Sequence, residues 1–347
     1  MRRGGTLPFL NRAATLACFV LALTFSARGG SLSTSVLGMF PKNMGEIGYA
    51  NLKTARQAAW FGQFESLILP SRFQRFRDFL RSTGVDPDEQ IEEVAWAATS
   101  LAKPAVAPGG ATGADNGGTQ RYTGQEVVGI ALGSFTPDRV DQAAKKQHLP
   151  IATVRGYSLY AFGSGISPGD LFFFFLDTNT IAFGHREVLE ALIGVRFGEE
   201  ESFLQNETLW PLVNEVNGQG TLWVALDKDS AHTSIERLVP EAAQFPGASD
   251  LLARVKGMTA TMQMDSGLDA QVTPVCGSPA DAQTLAQILQ AGLLFKRYQL
   301  AQTNPDAAKV IDDTGVSSDG DRLKVHTQVP DDLVQTLMKS GLSFPKD

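Results

Sequence analysis

The segment Gly165-Ile166-Ser167-Pro168-Gly169 has the G-x-S-x-G spacing of a hydrolase nucleophile elbow, and Asp177 and His185 follow in the matching Ser, Asp, His order. That chemistry needs the backbone N–H of the residue after the serine as an oxyanion donor. Here that residue is Pro168, which has no N–H. An elbow also joins a strand to a helix, whereas this segment lies between two predicted strands, so it reads as a Gly/Pro/Ser turn.

The remaining reactive residue types do not assemble either. His148, His185, His232 and His326 are scattered without zinc-like or helical spacing, and His326 alternates with Lys324 and Gln328 on the wet side of a strand. Asp312, Asp313, Asp319 and Asp321 lack the D-x-D-x-D-G order of a calcium loop, and Asp319-Gly320 reads as a hairpin tip. Glu92 and Glu93 occupy successive strand positions and so face opposite ways. No glycine-rich phosphate loop opens a helix, since nothing helical follows Gly109 to Gly118. No catalytic, cofactor-binding or metal-ligating residue is therefore assigned, and no cofactor is expected.

The start of the chain carries an address. Arg2, Arg3 and Arg12 precede the apolar stretch Ala13 to Ala27, no acidic residue occurs before Gly30, and small residues close the segment. This is the pattern of a secretory signal peptide over residues 1–29, with cleavage after Ser26 or after Gly29. The alternative is an uncleaved inner-membrane anchor. Cys18 lies in the middle of the apolar stretch and not at its end, where a lipid-modified cysteine would stand. The expected location is periplasmic or secreted.

The segment holds four of the 30 basic residues and none of the 37 acidic ones, so the rest of the chain carries 26 against 37, a formal −11. So acidic a surface repels phosphate backbones, and nucleic acid is excluded as a partner. Of the two cysteines only Cys276 lies beyond the segment. An exported chain with one thiol has no internal disulfide, so it must hold together by packing, and 43% hydrophobic residues supply the material. Cys276 itself reads as a buried, inert thiol.

The elements that would position any site follow from periodicity and punctuation. Strands are predicted at Glu46 to Leu52, Val94 to Ala98, Val127 to Phe135, Ile151 to Arg155 and Tyr157 to Phe162. Helices are predicted from Thr54 to Ser82 and from Thr136-Pro137-Asp138, where a hydroxyl cap, a first-turn proline and an acid coincide. The second half repeats the order. Thr221 to Asp227 is a strand and Ser230 to Arg254 an interrupted helix. Met258 to Met264 alternates apolar and polar, and Leu268 to Val275 is a further strand. Ser278-Pro279-Ala280-Asp281 then opens a helix, the hairpin Val310 to Ser317 with Arg322 to Val329 follows, and a last helix runs from Pro330 to about Ser340.

Each half thus reads β-α-β-β-α-β-β-α, the first with an added hairpin over 171–183 before its closing helix at His185 to Val195. The expectation is an α+β fold of two tandem repeats, with mainly antiparallel sheets and helices packed on one face. The first repeat spans 30–198, with a Gly/Pro loop at 103–122, a connector follows at 199–219, and the second repeat spans 220–347. The run Phe172 to Phe175 reads as a buried strand.

The segment Ile47-Gly48-Tyr49-Ala50-Asn51-Leu52, together with the signal peptide and this architecture, resembles uncharacterised exported α+β repeat proteins of Gram-negative bacteria. The resemblance implies an envelope location and no activity. The function expected is non-enzymatic binding of an envelope protein or an apolar ligand on a sheet surface between the repeats. The alternative is a hydrolase with a dispersed site. Membrane-surface contact is open to the N-terminal segment and to helix 72–81, where Phe73, Phe76 and Leu80 form a stripe flanked by arginines. The other reading of that helix packs the stripe on the sheet and leaves the arginines near Asp86, Asp88 and Glu89.

Overall fold

The computed structural model describes residues 30–68, 71–99, 126–167, 169–238, 250 and 252–339. The predicted signal segment, the whole 103–122 loop, and most of the predicted 230–254 helix after Leu238 lie outside these residues. The twelve strands among the described residues join one antiparallel sheet. They are β1 (Met44–Asn51), β2 (Ile91–Thr99), β3 (Val127–Gly133), β4 (Ile151–Val154), β5 (Tyr157–Phe162), β6 (Leu171–Asp177), β7 (Thr180–His185), β8 (Leu222–Asp227), β9 (Gly257–Gln263), β10 (Leu268–Val275), β11 (Thr314–Asp319) and β12 (Arg322–Val329). The α+β class is therefore as the sequence predicts.

Across the sheet the order is β11-β12-β10-β9-β8-β1-β2-β3-β7-β6-β5-β4. The halves meet where β1 pairs with β8, Gly48 opposite Val224 and Tyr49 opposite Trp223. Outward from that seam run β1-β2-β3 on one side and β8-β9-β10 on the other. The hairpin β6–β7 stands between β3 and β5, whereas β10 is followed directly by β12. Short turns enforce this pairing. Arg155 and Gly156, both at positive φ (48° and 87°), form a two-residue turn between β4 and β5 whose twist matches that of the strands.

Because strand side chains alternate, the sheet has a Gly48 face and a Tyr49 face. Helices cover the Gly48 face along its length. Over the first half these are Phe61–Ile68, Ser71–Ser82 and Pro137–Gln147, with Phe76, Leu80, Val140, Tyr160, Phe173 and Ile181 in the core. Over the second half, Lys228–Leu238 and Pro279–Thr303 cover Leu226, Met258, Leu285 and Leu323. The structure then extends the expectation of helices on one face. Thr34–Leu37, Arg186–Arg196 and Trp210–Val216 form a second layer on the Tyr49 face around Phe40, Ile47, Phe172, Phe174, Leu189, Val213 and Trp223. The reason lies in the strands: Phe172, Phe173 and Phe174 are all buried, so β6 presents phenylalanine to both sides and needs cover on both. On β9, β10 and β12 the Tyr49 face instead carries Thr261, Gln263, Asp269, Gln271, His326 and Gln328, and there the alternation read from the sequence holds.

Helix boundaries show where local signals succeed and fail. Ser278 caps the long helix, its hydroxyl accepting the Asp281 N–H at 3.2 Å, as predicted. Thr136 stands at the cap of Pro137–Gln147 but its side chain makes no capping bond, so the first-turn proline and Asp138 mark that start without it. The predicted helix from Thr54 to Ser82 is three: Leu52–Ala55, Phe61–Ile68 and Ser71–Ser82. The predicted strand from Val310 is corrected as well. Residues 310–312 end the helix Pro305–Asp312, started by Asn304, whose side chain accepts the Ala307 N–H at 3.1 Å, and by Pro305 in the first turn. Among the described residues no helix is long and apolar enough to cross a membrane.

Candidate functional site: an apolar cavity between sheet and helices

On the Gly48 face the register places Gly48, Trp96, Gly129 and Phe183 in one row across β1, β2, β3 and β7. Large rings alternate with residues that have no side chain, and each ring lies on its neighbour's backbone. A Cβ at Gly48 would stand 2.1 Å from Trp96 Cζ2, and one at Gly129 2.1 Å from Phe183 Cζ. The floor is therefore flat and aromatic. Ala50, Val94, Ala98, Val127, Ala131 and Ile181 surround the row, and Phe61, Phe64, Phe76 and Leu80 roof it from the two helices above. Between floor and roof lies a cavity of about 530 Å³. That is within the roughly 300–1,000 Å³ of small-molecule sites, and its lining is predominantly apolar as theirs is.

Polar groups stand at its two ends. Beside Glu46, the Trp96 indole Nε1 donates to Glu46 Oε1 at 2.8 Å. At the other end, Arg56 donates from Nη1 to the Ile91 carbonyl at 2.7 Å and from Nη2 to the Pro87 carbonyl at 2.9 Å. Burial pulls the Arg56 guanidinium below its ordinary pKa, while Asp88 and Glu65 act the other way.

The roof is clasped by ions. Arg77 pairs with Glu65 at 2.8 Å and also with Asp88, and Arg81 pairs with Asp88 and, at 3.1 Å, with Asp78. Burial acts to raise the Asp88 carboxyl, but Arg77 and Arg81 outweigh it and hold the group below the usual carboxylate range. Beneath this clasp Phe76 packs on Phe162, Phe183 and Phe173 with ring centroids 5.7, 6.0 and 6.4 Å apart. For the 72–81 helix, then, Phe76 and Leu80 face the sheet and Arg77 and Arg81 meet Asp88.

The G-x-S-x-G segment folds as a turn around Asp170, whose Oδ2 accepts the N–H groups of Gly165 (2.7 Å) and Ser167 (3.1 Å) and the Ser164 hydroxyl (2.9 Å). Pro168 lies outside the described residues. Asp177 pairs with Thr180 at one end of the β6–β7 hairpin and His185 with Leu171 at the other, about 20 Å apart at 3.3 Å per residue. The three residues do not come together. His148 ends the Pro137–Gln147 helix, His232 lies in Lys228–Leu238, and His326 Nε2 meets Asp269 Oδ1 at 2.8 Å. Among the described residues no three His, Cys, Asp or Glu side chains are grouped to hold a metal ion. Asp312 pairs with Arg297 and Asp319 with Lys324. Cys276 is fully buried, and burial, with Asp281 and Asp321 nearby, raises its thiol above the ordinary range.

Sequence reasoning missed the cavity. Trp96 and Val94 register only as strand residues, and Arg56 carries no signal of its own. The one available clue is the pairing of glycines on β1 and β3 against rings on β2 and β7, which needs the register to be seen.

The fold and site define an α+β protein on a single antiparallel twelve-stranded sheet, with an apolar chamber under two helices of its first half. No family model and no curated protein matches the chain. Among solved structures, crystal form I of TP0453 superposes with a TM-score of 0.50 at 11% identity, covering 89% of this chain and 98% of that one. Crystal form III of the same protein gives a TM-score of 0.48 at 9% identity, covering 88% and 98%. The first likeness establishes a shared fold and carries no activity or ligand across.

Proposed function

We propose that this chain is an exported envelope protein that works by binding and not by catalysis, and that it holds an apolar ligand in the cavity over β1, β2, β3 and β7. The observation that carries the reading is a chamber of about 530 Å³ walled by phenylalanine, tryptophan and aliphatic side chains in a chain that has ample other material for a tight core. The charged amino-terminal segment supports the location. The matching strand order on either side of the β1–β8 seam supports descent of the halves from one duplicated unit.

The test uses the neutral fluorescent probe N-phenyl-1-naphthylamine. Saturable binding of one probe per chain is expected, and Val94→Trp, which points a larger ring into the chamber, lowers the affinity by at least about tenfold while circular dichroism stays unchanged. A chain without saturable binding, or a variant that binds as the parent does, overturns the reading. Amino-terminal sequencing of the protein from the envelope fraction tests export, with a start after Ser26 or Gly29 expected and Met1 refuting cleavage. A partner protein is the second reading, favoured by Leu294, Phe295 and Tyr298, which stand 69%, 63% and 70% exposed on the far part of the Pro279–Thr303 helix.

A further inference from the structure

We propose that the cavity's ligand is a single-chain carboxylic acid, held with its carboxylate at Arg56 and its alkyl chain along β2 over Val94, Trp96 and Ala98. This rests on the apolar-ligand reading above and narrows it to one chemical class. The chamber is long enough for such a chain. From Ile91, beside Arg56, to Ala98, beside Glu46, β2 runs seven residue steps, about 23 Å at 3.3 Å per step. A volume of about 530 Å³ holds about 18 water-sized groups at roughly 30 Å³ each, which suits one long alkyl chain and not two.

The head group follows from charge. Arg56 lines one end of the chamber together with Glu65, Arg77 and Asp88, and both of its hydrogen bonds go to uncharged carbonyls, of Ile91 and Pro87. Neighbouring acids are engaged elsewhere: Glu65 by Arg77, and Asp88 by Arg77 and Arg81. A guanidinium has five N–H donors, and two are used, so three remain to meet a planar carboxylate. Glu65 and Asp88 are close enough to act on the Arg56 charge. They would repel a second negative charge on the ligand, which favours a carboxylate over a phosphate monoester. A cationic amphiphile would meet the like charges of Arg56 and Arg77 at that end.

Displacement of N-phenyl-1-naphthylamine from the full chain by palmitate, hexadecanol and lysophosphatidic acid at pH 8 tests this. Palmitate is expected to bind at least about tenfold more tightly than hexadecanol, the margin of one charge-assisted hydrogen-bonded pair. Arg56→Gln should bring palmitate down to the hexadecanol level while hexadecanol binds as before, which also shows that the chamber survives the substitution. Arg56→Lys should recover part of the difference. Equal binding of palmitate and hexadecanol by the parent chain, or equal losses for both in Arg56→Gln, overturns the carboxylate assignment and leaves the apolar-ligand reading standing. So does displacement of the probe by neither compound. Tighter binding of lysophosphatidic acid than palmitate overturns it in favour of a phosphate head. Failure of the probe itself to bind overturns the reading beneath.

Discussion

Gly129→Ala probes the feature that keeps the chamber open. The glycine sits in the centre of β3 without a positive φ, so its backbone accepts alanine and the cost is steric. The new methyl would stand 2.1 Å from Phe183 Cζ and 2.6 Å from both Cε atoms, and ordinary contact begins at 3.4 Å, so the ring must retreat by 1.3 Å. It has nowhere free of consequence to go. Phe76 lies 6.0 Å away, centroid to centroid, and the ring itself lines the chamber, so its displacement disturbs the roof contact or the chamber. Overpacking of this kind costs about 1–3 kcal/mol. Urea unfolding followed by tryptophan fluorescence should therefore show a lower midpoint with an unchanged slope, together with weaker probe binding. Gly292→Ala is the matched control: nothing lies within 4 Å of its Cβ position and it is inside a helix, so alanine should stabilise by about 0.5–1 kcal/mol. A Gly129→Ala chain as stable as the parent would falsify the claim that the ring lies on the glycine.

Two further outcomes are expected. Asp88 has a lowered pKa in the fold, so its clasp contributes stability in full above the ordinary carboxylate value near 3.9 and loses it as pH falls through the lowered one. At this half-exposed site screening limits the effect to about 1 kcal/mol or less. Urea midpoints measured downward from pH 5 should carry this component in the parent and lack it in Asp88→Asn, and identical curves count against the clasp. In a Cys18→Ser chain, Cys276 should react with a disulfide reagent at pH 8 only once urea unfolds the protein, because its thiol is buried and its pKa raised. Prompt labelling of the folded chain would contradict that burial.

The sequence disclosed most of the strands because each carries its own alternation and its own turn. Leu268 to Val275 was legible to the residue, and Asp319-Gly320 marks the right hairpin, with Gly320 and Asp321 forming its loop. The region 305–312 was not, because Val310 and Ile311 look like a strand start until Asn304 and Pro305 are read as a cap and a first turn. The helix after β1 broke into three because the apolar spacing around Trp60 and Phe64 continues through its bends. The chamber was illegible for a different reason. Phe76, Leu80, Val94, Trp96 and Phe183 all look like core, and whether core residues meet or leave a void depends on partners brought from distant parts of the chain.

The seam between β1 and β8 has a consequence for how the protein is made. A chain emerging amino-terminus first can pair β1 with β2 early, but the other side of β1 waits for Leu222–Asp227. Until then its unpaired N–H and C=O groups are a template for any passing strand. A carrier that escorts the nascent chain has one stretch above all to shield: Glu46 to Ala50, the part of the sheet that ends up deepest inside it.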